Sequence, residues 1–261
     1  MRPSGEQQEQ CRAGNDGDHH EDCRVPHAGA VRLVGDGAAE ATTRDHRLPE
    51  IACSADGHDD RGVPLEETLA ALDDVVRAGK VRYIGCSNFL AYRLARAVGR
   101  SEVLGLARFE SVQPRYNLLF REFERELFPL CLDEGIGVIP YNPIAGGMLS
   151  GKHDRSKAPE EGTRFTLGNA GKMYQDRYWH DNVFDTVDEL VRIADGAGIP
   201  LSTLAVAWVL QHPATTSPIV GASRPEQLDA TLAAVETKLD PDLVDTLNEL
   251  TAPYRRGDAP R

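Results

Sequence analysis

The chain has 261 residues, 41% hydrophobic and 27% charged, enough for one large domain or two small ones with a sizeable core. Its 29 Lys and Arg stand against 41 Asp and Glu, and a formal net charge of −12 repels a phosphate backbone, so a nucleic-acid partner is excluded. No apolar run approaches the roughly 20 residues of a membrane helix, MRPSGEQQEQ carries no secretory signal, and five widely spaced cysteines read as the reduced thiols of a cytoplasmic protein.

Residues 1–61 stand apart from the rest. They hold no Phe, Tyr or Trp and few branched aliphatics, yet carry His19, His20, His27, His46 and His58. Such a segment buries too little apolar surface to offset its chain entropy, and disorder is expected. Cys11, His19, His20 and Cys23 lack the C-x2-C pairing of a zinc site, so no metal is expected.

From Pro64 the pattern becomes that of a folded domain. Pro64 and the acids Glu66 and Glu67 open a helix whose face is Leu65, Leu69, Leu72 and Val76, with Gly79 to stop it. Residues 81–87 read as a strand, Leu90–Val98 as a helix and Phe109–Gln113 as a strand. Arg121–Glu134 reads as a helix and Gly137–Tyr141 as a third strand. Residues 146–181 read as a long loop, with Tyr174, Tyr178 and Trp179 as a possible aromatic wall for a substrate. Helices follow over Phe184–Gly196 and Ser202–Gln211, then a short strand Pro218–Gly221, then helices over Pro225–Val235 and Pro241–Leu250. Strands alternating with helices force parallel pairing, so the fold class is α/β, either doubly wound or part of a (β/α)8 barrel. The pattern Gly146–Lys152 fits G-x-x-x-x-G-K, but His153 stands where a phosphate-binding loop needs Ser or Thr.

Four segments together carry a resemblance. Gly79-Lys80-Val81-Arg82-Tyr83-Ile84-Gly85-Cys86-Ser87-Asn88-Phe89, Gln113-Pro114-Arg115-Tyr116-Asn117-Leu118-Leu119, Val138-Ile139-Pro140-Tyr141-Asn142-Pro143-Ile144-Ala145-Gly146-Gly147 and Pro218-Ile219-Val220-Gly221-Ala222-Ser223-Arg224-Pro225-Glu226-Gln227-Leu228 resemble strands five to eight, and the turns after them, in the aldo-keto reductase family. The resemblance implies a (β/α)8 TIM-barrel type with only about strands 5–8 and their helices present, over residues 62–254, followed by a tail at 255–261. It further implies an NADPH-dependent oxidoreductase acting on a small-molecule carbonyl substrate.

By the same resemblance, Ser87, Asn88 and Gln113 hold the nicotinamide carboxamide, which offers one acceptor and two donors. Tyr141 stacks on the ring. Asn142, Pro143, Ile144, Gly146, Gly147 and Leu149 lie along the pyrophosphate. Gly221, Ala222, Ser223 and Arg224 meet the adenosine 2′-phosphate, a suitable partner for a guanidinium, and Gln227 meets the adenine. Thr231 stands where the family often has Asn.

The family's catalytic Tyr, Lys, Asp and His come from the first four strands. Here residues 1–63 contain no Tyr and no Lys, and four βα units of about 30 residues do not fit in that length. His58 is the single candidate for the His. The expectation is therefore a cofactor cradle without its proton donor, with little or no turnover, and self-association through an exposed fifth-strand edge. A non-catalytic NADP-binding or regulatory protein, like the channel-associated relatives, is the alternative. The Arg-rich, Lys-poor composition suits GC-rich coding, where shifted frames stay open. Residues 1–61 are thus expected to be out of frame, with a truncated gene or an unrelated extension as the other readings.

Overall fold

A computed structural model describes residues 31–34 and 63–258, apart from Ser223 and the side chains of Asn169 and of residues 31–34. In chain order the elements are β1 (Val31–Val34), α1 (Leu65–Arg77), β2 (Tyr83–Ser87), α2 (Ala91–Leu104), β3 (Phe109–Gln113), α3 (Leu127–Glu134), β4 (Gly137–Val138), α4 (Gly168–Tyr178), α5 (Asp181–Ala197), α6 (Leu201–Gln211), α7 (Glu226–Leu232) and α8 (Pro241–Leu250). The strands form a four-stranded sheet in the order β1-β2-β3-β4. β2, β3 and β4 run parallel, as alternation with helices requires.

The edge of β2 differs from expectation. β1 pairs with it antiparallel, Val31 opposite Cys86 through Val34 opposite Tyr83. The strand similar to the family's fifth is therefore paired along both sides, with β3 and with residues 31–34. The other residues up to 62, His58 among them, lie outside the described residues.

α1 buries Leu65, Leu69 and Leu72 as its spacing predicts, and Asp73 beside them. Asp73 accepts from the Ala107 N–H at 2.9 Å and pairs with Arg77, which fixes the chain as it enters β3. α2 runs past Val98 to Leu104 despite Gly99, a poor helix former, because Val98 and Ser101 still face the core. It stops at Gly105, whose φ of 65° is the left-handed turn that releases a helix. Nothing lies within 4 Å of where a Cβ on Gly105 would stand. Gly105→Ala is therefore expected to cost only the backbone term, about 1 kcal/mol. This is read as a lower urea midpoint at unchanged slope.

Three further elements depart from the sequence reading. Arg121–Glu134 is broken into a 3-10 turn at Glu122–Glu124 and α3, because Arg121 and Glu124 are drawn inward by an ion pair. Residues 146–181 contain α4, which lacks an apolar stripe and is held instead by Gln175 donating to the Phe165 carbonyl at 2.6 Å. The segment Pro218–Gly221 is reduced to a single bridge, Ile219 beside Tyr141, with Ile219 N donating to the Pro140 carbonyl at 2.7 Å. β4 itself is short because Pro140 has no N–H to continue the ladder.

The core lies between the sheet and the helices. Its centre is aromatic: Tyr116 stacks on Trp208 at 5.1 Å and meets Phe128 edge-on at 4.8 Å, and all three are buried. α6 is buried on nearly every side, from Leu201 to Val209, and serves as the spine.

Candidate functional site

The ends of the parallel strands gather the residues singled out by sequence. Ser87 ends β2 directly opposite Gln113 at the end of β3. The Ser87 hydroxyl donates to the Gln113 carbonyl at 2.9 Å, and the Asn88 N–H donates to the same oxygen at 3.0 Å. Asn88 adopts φ 56°, which turns the chain sharply away from the strand. Asparagine tolerates that region better than most residues.

Tyr141 continues the line of β4. Its N–H donates to the Pro114 carbonyl at 2.9 Å and its own carbonyl accepts from Tyr116 N at 3.3 Å. Its phenol lies beside the Asn88 side chain, which brings the end of β2 near the end of β4 across β3. Ser87, Asn88, Gln113 and Tyr141 therefore share one end of the sheet. Burial pushes the Tyr141 phenol above its ordinary value, against the opposing charges of Arg115 and Arg177 and the Asn88 side chain beside it. It is thus a neutral platform, further from a working proton donor than a free tyrosine.

The turn after Tyr141 is built by its own hydrogen bonds. Asn142 has φ 64° and its Oδ1 accepts from Gly146 N at 2.6 Å, while Gly147 N donates to the Ile144 carbonyl at 2.9 Å. Leu149 N donates to the same carbonyl at 3.2 Å and its side chain is wholly buried. Pro143 is buried and Ile144 half-buried. The turn thus offers a ligand close approach more than spare donors. Gly146 has φ 69°, and a Cβ there would stand 2.5 Å from the Tyr174 ring, so only glycine suits the position.

Asn117, given no role from sequence, and Tyr178, read there as part of a substrate wall, hold this turn. Asn117 donates to the Asn142 carbonyl at 3.0 Å and to the Tyr178 hydroxyl at 3.2 Å, and Asn142 donates to the same hydroxyl at 3.2 Å. Tyr178 is fully buried, so it is a post behind the site and not a wall facing it. Trp179 packs with His153, Phe165 and Phe184 in a neighbouring aromatic cluster. The signal for Asn117 lay inside the Gln113–Leu119 motif, where its side chain carried no assignment.

On the far side of Tyr141, the Ile219 bridge leads to Gly221 and Ala222, both exposed, with open space beside Gly221. Arg224 and Gln227 are exposed as well, at the start of α7. Ser223 lies outside the described residues. Thr231 is buried and its hydroxyl donates to the Leu228 carbonyl at 2.9 Å, within its own helix.

Polar side chains, a half-buried tyrosine and a glycine turn gather at the ends of the parallel strands, where α/β proteins commonly bind ligands. The profile described as the aldo/keto reductase family matches residues 49–252, beginning upstream of Pro64, and the chain belongs to that family. It is 38% identical over 198 residues to aldo-keto reductase dtxS3 of Metarhizium robertsii, covering 75% of this chain and 51% of that protein. It is 36% identical over 197 residues to versiconal hemiacetal acetate reductase of Aspergillus parasiticus, covering 74% and 55%. It is 34% identical over 194 residues to a probable voltage-gated potassium channel subunit beta of Arabidopsis thaliana, covering 73% and 58%. The chain thus spans about half the length of these relatives.

The family generally uses NAD(P)H. The residues present fit such a group at both ends. Ser87, Asn88 and Gln113 end their strands near a tyrosine that keeps part of its surface open, and Gly221 and Arg224 are both exposed ahead of α7, with open space at Gly221. Among the described residues no cluster of three or more His, Cys, Asp or Glu is placed to hold a metal, and no single helix is long and apolar enough to cross a membrane.

Proposed function

We propose that this chain is the cofactor-binding half of an NADPH-dependent aldo-keto reductase barrel, able to hold the dinucleotide and unable to reduce a carbonyl by itself. The observation that carries the proposal is the gathering of Ser87, Asn88, Gln113 and Tyr141 at one end of the sheet, the first two tied by their bonds to the Gln113 carbonyl and Tyr141 held by its N–H bond to the Pro114 carbonyl. When bound, NADPH supplies the hydride that a carbonyl substrate of the family accepts. The protein's own part is to orient it. Gln113 and Asn88 offer both donors and acceptors to a carboxamide, the Ser87 oxygen retains lone pairs, and Tyr141 gives the ring a flat support. Arg224, with Ser223, Gly221 and Ala222, is assigned to the 2′-phosphate, and Gln227 to the adenine edge.

Proton delivery is the missing role. Residues 1–63 contain no Tyr and no Lys, and the Tyr141 and Tyr178 phenols are both pushed up by burial, away from the range where a general acid works. A second reading, a non-catalytic nicotinamide-binding regulatory protein, is favoured by the same lack of a donor and by the channel-subunit relative.

Titration of the chain with NADPH, followed by the cofactor's own fluorescence, is expected to show saturable binding. NADH is expected to bind more weakly, since it lacks the phosphate that Arg224 would meet. Simple aldehydes are expected to leave NADPH unconsumed. Absence of saturable binding overturns the assignment of the cradle, and steady NADPH oxidation overturns the assignment of inactivity.

A further inference from the structure

Arg115 is a charged residue that the cofactor reading does not use. It lies two positions beyond Gln113 and bridges to Tyr141, at the same end of the sheet as Ser87 and Asn88. It is 4% exposed. Its guanidinium carbon sits 3.5 Å from the centroid of the Phe120 ring. Nη2 donates to the Asp258 carboxylate, while Nη1 is fully enclosed and has no acceptor. A guanidinium does not shed its charge, and an unmet donor on a buried cation is costly. Its planar fork suits a carboxylate gripped by both limbs, and here one limb is engaged.

The carboxylate on the engaged limb belongs to a mostly exposed residue. Asp258 is 57% exposed and follows Gly257, which is buried against Glu122 and whose N–H donates to the Tyr254 carbonyl at 3.2 Å. Arg121 N donates to the Tyr254 carbonyl at 3.0 Å, and Arg255 donates to Glu124 at 2.9 Å. Glu122 also faces the guanidinium. Burial and then the charge of Asp258 push the Glu122 carboxyl up. Two carboxylates therefore crowd one cation, and removal of Asp258 relieves that repulsion.

We propose that Arg115 is the receptor for a carboxylate carried by the substrate, and that Asp258 occupies that position in the free chain. The inference rests on the reading of this sheet end as a carbonyl-substrate site. It narrows the substrate class to small aldehydes or ketones bearing a carboxylate. Such a group, held at Arg115, leaves the body of its ligand beside Tyr141.

The test is calorimetric titration of the whole chain with 4-carboxybenzaldehyde, and with 4-methylbenzaldehyde as the neutral comparator, each with and without NADPH. The carboxylated compound is expected to bind and the neutral one to bind far more weakly. Asp258→Asn removes the resident competitor and is expected to tighten the carboxylated compound about five- to tenfold. Arg115→Lys keeps the charge without the fork and is expected to weaken it by about the same factor. Equal affinity for the two compounds, or a carboxylate affinity unmoved by Asp258→Asn, overturns the proposal. Asp258 is exposed, so that variant decides the matter even if substitution of Arg115 prevents folding. Titration without NADPH keeps the two readings apart: loss of cofactor binding leaves a carboxylate response at Arg115 intact.

Discussion

Glu124→Leu is expected to cost about 3–5 kcal/mol, the range for removing one partner of a buried ion pair and stranding the other. Glu124 is the hub of the deepest polar cluster. It accepts from Arg121 Nε at 2.7 Å and Nη2 at 2.9 Å, from the Tyr116 hydroxyl at 2.7 Å and from Arg255 Nε at 2.9 Å. The Arg121 and Glu124 side chains are 4% and 5% exposed. Arg121 also donates to the Asn248 carbonyl at 2.9 Å and the Thr251 hydroxyl at 2.8 Å, so it cannot follow a lost partner into solvent. The double variant Arg121→Met/Glu124→Leu is expected to be more stable than Glu124→Leu alone, since no buried charge is left without its mate and Arg255, which also loses Glu124, is 53% exposed. Urea denaturation followed by circular dichroism measures both. A double variant no better than the single one would show that the pair's charges do not govern this site.

The same cluster sets a pH response. Burial alone would raise the Glu124 carboxyl, but the Arg121 bonds and charge, with the bonds from Tyr116 and Arg255, outweigh it and hold the group below its ordinary value. A group depressed in the folded state stabilises it above the unfolded value, about 4.3 for Glu, and that support is lost as pH falls through the folded value. The chain is therefore expected to keep this contribution at neutrality and lose it in acid.

The second large effect is on cofactor affinity. Tyr141→Ala is expected to weaken NADPH binding about 10- to 100-fold, the equivalent of about 1–3 kcal/mol for loss of a flat aromatic support under a ring. Tyr141→Phe keeps the ring and removes only the hydroxyl, so its effect is expected to be a few-fold. Fluorescence titration of the three proteins checks this. Equal loss in both variants would assign the phenol, and not the ring, to the cofactor.

Legibility in the sequence followed the range of the forces. β3 and α8 were readable to the residue, because each is bounded by local punctuation: Gln113-Pro114 ends one and Asp240-Pro241 caps the other, with Asp240 accepting from Asp242 N. α4 was not readable, because what holds it is Gln175 reaching to Phe165 and the ring of Tyr174 over Gly146, not a face of its own. The strand ends that gather the site were legible because one motif carries each. Arg115 and Asp258 were not, being 143 positions apart. No pattern in either segment announces the other.

The reversed direction of β1 sets the terms for any attempt to rebuild a whole barrel from pieces. A closed (β/α)8 ring needs every neighbour to run the same way, so the four-residue ribbon along Tyr83–Ser87 must leave before an amino-terminal half supplied in trans can dock there. Reconstitution becomes an exchange reaction: shortening the chain to remove Val31–Val34 should accelerate it, and lengthening that ribbon should obstruct it.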